Sequence, residues 1–501
     1  MTMTKYIRYF FLATLLATAS SCGNDWLFLT PQDSIINDQF WKTKEQVQSA
    51  VIGCYASLLG NPDPTDKDRT LAEYLFLWGE LRADMVALGG SAKQEEIDMV
   101  NGNILSSNVI ANWRCVYRTI NYCNTVIQNA PKVQLNDKTF KDEQLNAYLS
   151  EARALRALMY FYLVRTFRDV PLKIKPTTSD TEIVNLPKSS ESEIMDQILS
   201  DLRLAEQYAV LTYGDRNTDK GRITRYTVNA IQADAYLWRE QYDSCILACD
   251  KIIGSNQFGL IGRFDNWFST VFVNGNSNEG IFEFQFDAQK VNSFYPMFAN
   301  PKRILAAASV LDVDYTLNFV NSNDQDIRGD GASARADGTI WKYVGKSSNV
   351  LRQQIESYAH WIVYRYSEIL LFKAEAMAQV GRGDEALSII NDIRNRANAQ
   401  PATKEDPDPT DVYGVSDYVL HERKREFAFE GKRWFDVLRN TRRNNYSRID
   451  IMIQMAITSA PIDRQQSIIN KIKDFDSHYL PVYLPELQTD KNLVQNPFYL
   501  K

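Results

Sequence analysis

"HERKREFAFEGKRWFDVLRN", residues 421–440, sets ten charged side chains against the apolar Phe427, Phe429, Trp434, Phe435 and Leu438. At 100° per residue, Phe427, Gly431, Trp434, Phe435 and Leu438 fall on one helical face, with Gly431 at its centre where a neighbouring backbone can come close. The charges do not form a stripe of one sign. Glu422, Glu426 and Glu430 follow one another at i+4, an arrangement that is repulsive on its own, so they require cations from elsewhere in the chain. Arg423 and Glu430 lie at the margins of the apolar face, where an unpaired charge is costly. The stretch therefore reads as a helix carrying a structural charge network rather than as a phosphate-binding stripe or a catalytic cluster.

The rest of the chain agrees with a helical scaffold. Its 501 residues are 45% hydrophobic and 24% charged, enough to fill one large core or two ordinary ones. A net charge of −6 and a pI near 5.4 remove the electrostatic footprint of a nucleic-acid binder. Apolar residues at helical spacing predict helices over about 35–60, 108–130, 143–168, 190–207, 224–253, 360–398 and 417–440. Residues 158–164 are apolar nearly all round, which predicts a helix sandwiched between neighbours. Ser190 followed by Glu193 is a capping-box pair. In 227–253 and 366–397 small residues, Ala233 and Ala374 among them, recur at a spacing that resembles tetratricopeptide repeats, where they let antiparallel helices approach closely. Two stretches, 83–108 and 255–357, carry Gly, Asn and Ser punctuation and form a loop-rich face, the kind of surface where binding residues concentrate. Within the second, "IFEFQFD" and "TIWKYV" read as strands. The expected fold is mainly α, a tetratricopeptide-like helical scaffold with a loop-rich face and a few short strands.

Lys5 and Arg8 precede a short apolar run that ends in "TASSC", so residues 1–21 read as a secretory signal and Cys22 as a lipobox cysteine, acylated at the mature N-terminus. The five later cysteines read as core thiols with at most one disulfide, and the three scattered histidines form no metal constellation with them. No G-x-S-x-G, H-E-x-x-H, P-loop or G-x-G-x-x-G motif occurs. "DQDIRGDG" (324–331) begins like a calcium loop but places Arg328 where an oxygen ligand belongs, and its Arg-Gly-Asp reads as an exposed turn.

Residues 425–439 resemble the C-terminal hallmark of the SusD/RagB outer-membrane lipoproteins of Bacteroidetes, matching at Arg425, Glu426, Phe427, Glu430, Gly431, Arg433, Asp436 and Arg439. The segment from Cys22 through Leu29, Pro31, Phe40, Trp41, Ala50 and Tyr55 is similar to the family's mature N-terminus, and Gln495-Asn496-Pro497 to its terminal segment. The resemblance implies one domain over 22–501, anchored to the outer membrane through acylated Cys22 and facing the cell exterior. It further implies a lid on a TonB-dependent SusC-type barrel transporter, to which captured oligosaccharide is delivered, with no cofactor and no catalysis. Oligopeptide capture is the alternative, and glycoside hydrolysis a third reading. The expected acidic run after the lipidated cysteine is missing, Asp25 excepted. Sugars stack their C–H faces on aromatic rings, so Phe294, Tyr295 and Phe298 are candidate contacts, with Asp84 and Arg328.

Overall fold

A computed structural model describes residues 40–60, 69–178, 184–316, 318, 320, 321 and 324–500. The signal segment, Cys22, Leu29 and Pro31 lie outside these residues. The first layer is α1 (Lys44–Leu59), α2 (Leu71–Glu80), strand β1 (Val86–Leu88) and α3 (Gln94–Val100), followed by the long α4 (Arg114–Asn136) and α5 (Asp142–Phe167). From Ala154 to Phe167 every side chain of α5 is buried, because α1, α4 and α6 (Glu191–Tyr208) pack around it. The cap of α6 is a reciprocal one: Ser190 Oγ accepts the Glu193 N–H at 3.3 Å while Glu193 Oε2 accepts the Ser190 N–H at 2.8 Å.

The array continues through α7 (Arg216–Gly221), α8 (Arg225–Trp238) and α9 (Tyr242–Ile253). Next come β2 (Gly280–Phe284), the short α10 (Phe294–Phe298), β3 (Ile304–Ala306) and β4 (Trp361–Arg365). Four helices follow, α11 (Tyr366–Gln379), α12 (Gly383–Ala397), α13 (Val412–Glu426) and α14 (Arg433–Tyr446), and then α15 (Ile449–Ser459), α16 (Gln465–Ile472) and α17 (Leu484–Thr489). Helices α8 and α9, and α11 and α12, form hairpins that stack through α9 on α11. Ala233, Ala374 and Ala386 are fully buried at these contacts, and Cys245 Sγ points at the Phe372 carbonyl, 3.9 Å away. All five described cysteines are buried and lie outside any disulfide.

Two antiparallel strand pairs tie the loop-rich stretches to this array. Val86 to Leu88 pairs with Ala306 to Ile304, and β2 pairs irregularly with β4, Gly280 opposite Arg365 and Phe284 opposite Trp361.

The structure corrects several expectations. Residues 360–398 begin with a strand, β4, before α11 starts. "TIWKYV" is a turn with only an isolated bridge from Ile340 to Ala334. The apolar segment 71–80, buried on every side, is a helix that no amphipathic stripe announced. Most consequential, 417–440 is not one helix. It breaks at Phe427–Lys432, where Phe429 (φ 65°) and Gly431 (φ 70°) adopt left-handed backbone. The Glu80 carboxyl on α2, pushed up to about 8 by burial, stabilises this turn by accepting the Gly431 and Lys432 N–H groups at 2.8 and 3.2 Å. The helix start after the turn thereby gains an acceptor from a distant element.

Candidate functional site

The charge-rich stretch at 421–440 is the centre of an interior ionic network. Glu426 accepts from Arg365 at 2.6 Å, from Arg328 at 3.0 Å and from Arg396. Glu430 accepts from Lys342 and Arg365, each at 2.9 Å, and Glu422 from Arg328, Arg394 and Arg425 at 2.7, 3.1 and 3.2 Å. Further along, Arg423 and Arg439 both hold Asp436, and Arg439 also grips Glu375 with two bonds of 2.9 and 2.7 Å. Burial alone would raise the Glu426 carboxyl, but Arg396, Arg365 and Arg328 hold it well below the usual carboxylate range. The same balance lowers Glu422, Glu430 and Asp436. The cations that the i+4 glutamates require thus come from the 255–357 stretch and from β4 and α12. With every acid paired by cations from other elements, the network fixes those elements to one another.

The structure places four of the candidate contacts in the interior. Arg328 is fully buried between Asp326, Glu422 and Glu426, so its Arg-Gly-Asp does not present an exposed arginine. Asp84 is clamped by Arg433 at 2.7 and 3.1 Å and by Lys424 at 3.2 Å. Phe294 and Phe298 lie on α10 rather than in a loop, fully buried in an aromatic cluster: Phe294 sits 4.4 Å from Tyr343, and Phe298 4.9 Å from Phe76. Tyr295, half-buried at the rim of this cluster, is the one left facing outward.

An apolar cleft opens where the 83–108 stretch meets the C-terminal helices. It encloses about 750 Å³, counting the solvent at its mouth, and Leu81, Met99, Ile104, Trp434, Met455 and Tyr499 contribute to its walls. Polar groups converge on it. The Arg82 guanidinium lies 4.1 Å over the Trp434 ring and donates once, to the His478 carbonyl at 2.7 Å. Its enclosed Nε and Nη2, the Trp434 Nε1 and the His478 Nδ1 find no partner among the described residues. Burial pushes Arg82 down to about 10, which leaves it charged at neutral pH. An apolar wall with unused Arg82 and Trp434 donors, beside His478 Nδ1 as an acceptor, suits a ligand that has both C–H faces and polar oxygens. Arg82 and His478 carry no motif, and only the position of Arg82 beside the loop-rich stretch hinted at the site.

Burial also pushes His478 down to about 4, with its Nε2 against the Ile472 carbonyl at 2.8 Å. A depressed histidine contributes stability above its unfolded value near 6.5, and this is lost as the pH falls toward 4. Between pH 7.5 and pH 5 the wild type should therefore lose about 2 kcal/mol more than His478→Asn. Urea titrations of the two proteins at both values test this; equal losses would contradict it.

With this geometry in hand, the chain can be set beside known proteins. The family model described as the SusD family matches residues 269–499, and the one described as starch-binding, associating with outer membrane, matches 69–237. SusD-like protein P38 of Formosa agariphila is 26% identical over 484 residues, covering 86% of this chain and 91% of that protein. A SusD superfamily protein of Bacteroides vulgatus superposes with a TM-score of 0.72 at 19% identity, covering 92% of this chain and 100% of the other. NanU of B. fragilis follows at 0.67 and 23%, covering 94% and 100%. The solved structures carry the fold, the two models account for both halves of the described chain, and the hallmark arginines and glutamates form its buried centre: the chain belongs to the SusD/RagB family.

Proposed function

We propose that this protein binds oligosaccharides at the outer membrane and delivers them to a TonB-dependent barrel transporter of the SusC type. The mature chain, 22–501, acts as one unit held by acylated Cys22, with the loop-rich face toward the cell exterior. The observation that carries the reading is the match to a family described as starch-binding and associating with the outer membrane. The apolar cleft supports it, since walls from Leu81, Met99, Ile104 and Tyr499 border the unused donors of Arg82 and Trp434. Binding, not turnover, is the function, and Tyr295 is an additional contact on the outer rim.

Calorimetry against a panel of plant and host glycans tests the proposal. At least one oligosaccharide should bind, and Arg82→Gln should weaken it about tenfold or more, the worth of one hydrogen bond to a charged group. If no glycan binds while oligopeptides do, the ligand class is wrong; release of shortened glycan by the purified protein would make it a hydrolase instead.

A further inference from the structure

Away from the apolar cleft, a second opening of about 1040 Å³, solvent at its mouth included, lies between residues 211–226 and 257–278. One wall comes from α7 and the start of α8, the other from the loop-rich stretch. Its floor is an aromatic pair, Tyr226 and Phe258, packed edge to face with centroids 5.3 Å apart and both half-buried. Lys220, only 7% exposed, lines the opening with its ammonium 4.3 Å over the Phe258 ring. Among the described residues it donates no hydrogen bond and joins no ion pair, although almost every other buried cation of this protein has a carboxylate partner. Burial pushes the ammonium down to about 8, against the pull of Glu283, so it still carries a proton at neutral pH.

The acids in the same opening are differently placed. Asp219 accepts from Thr212 Oγ1 at 2.7 Å and from the Tyr213 N–H, and Asp215 accepts the Thr218 N–H at 3.0 Å. Both keep lone pairs free for further donors. The opening thus combines an aromatic floor, carboxylates able to accept from hydroxyls, and one largely buried cation that joins no ion pair among the described residues. A neutral sugar would use the first two and leave the cation unpaired.

We infer that this opening is a second glycan site selective for acidic sugars, in which Lys220 takes the carboxylate of a uronic acid whose C–H face packs against the Tyr226 and Phe258 pair. The inference rests on the glycan-binding reading above and names its ligand class. A charge-assisted bond to a desolvated ammonium is worth about tenfold or more in affinity.

The test is calorimetry on the full-length mature protein with oligomers of galacturonate, mannuronate and glucuronate, each paired with its fully methyl-esterified counterpart. At least one acidic oligomer should bind ten times more tightly than its ester, and Lys220→Gln should erase that preference while the melting temperature stays within a few degrees of wild type. A preference that survives Lys220→Gln overturns the assignment, and so does equal binding of acid and ester by the wild type, a comparison that needs no variant to fold. If neutral glycans bind but no acid is preferred, this inference alone falls. If neither neutral nor acidic glycans bind, the glycan reading falls with it.

Discussion

Replacing Arg365 with methionine will cost the folded state about 3–5 kcal/mol, the range for removing one partner of a buried ion pair. Arg365 is fully buried and donates to Glu279 and Glu426 at 2.6 Å and to both Glu430 oxygens at 2.9 and 3.1 Å. Its guanidinium also lies 4.6 Å over Phe427. After the substitution Glu426 keeps Arg396 and Arg328, but Glu430 Oε2 loses its donor, and three carboxylates share a pocket with less positive charge. Methionine fills the volume, so the deficit is electrostatic rather than a cavity. Arg365→Lys keeps the charge but cannot reproduce the planar fork, and should fall between the two. Urea denaturation measures all three; a methionine variant within 1 kcal/mol of wild type would mean that the network is far less coupled than its geometry indicates.

Gly79→Ala will be comparably damaging, although alanine in an ordinary helix interior stabilises by about 0.5–1 kcal/mol over glycine. A Cβ at Gly79 would stand 1.9 Å from the Gly431 carbonyl oxygen, and a Cβ at Gly431 would meet the Trp361 ring at 2.8 Å and the Leu75 oxygen at 3.0 Å. Helix α2 and the 427–432 turn touch backbone to backbone, and the atoms in the way are main chain, which cannot rotate aside. Overpacking costs about 1–3 kcal/mol even where side chains can yield, so a loss of about 3 kcal/mol or more is expected. Gly431→Ala adds the strain of a left-handed residue, φ 70°. Thermal melts of both variants check this, and a melting temperature equal to or above wild type for Gly79→Ala would contradict the close approach.

The periodic, locally encoded parts of the fold were legible in the sequence. The all-round apolar run at 158–164 is the sandwiched part of α5, the Ser190 and Glu193 pair caps α6, and small Ala233 and Ala374 sit where helices meet. The three glutamates at i+4 signalled that cations must arrive from elsewhere, and they do. What escaped reading was set by distant groups. The break at Phe427–Lys432 depends on Glu80, some 350 positions away, and only Gly431 marks it locally. The aromatic residues after β2 looked like ligand contacts because loop punctuation surrounds them. Tyr343 and Trp361, brought in from elsewhere in the chain, pack on Phe294, and Tyr343 on Phe298, so that only Tyr295 of them stays half-buried. Glu283, which stands between two phenylalanines in "IFEFQFD", is likewise buried, held by His360 at 2.8 Å. Sites assembled by convergence of remote segments, such as Arg82 over Trp434, leave no spacing to detect.

The same buried geometry separates scaffold from ligand surface, and that separation is the central claim. Glu430→Ala removes the acceptor shared by Lys342 and Arg365 without touching either cleft. Melting temperature and glycan affinity measured on one preparation of this variant test the claim most directly. The account predicts a melting temperature lowered by several degrees, with the affinity of the folded fraction unchanged. An unchanged melting temperature with lost affinity would show that the ionic network of the hallmark stretch, and not only its Trp434, belongs to the binding site.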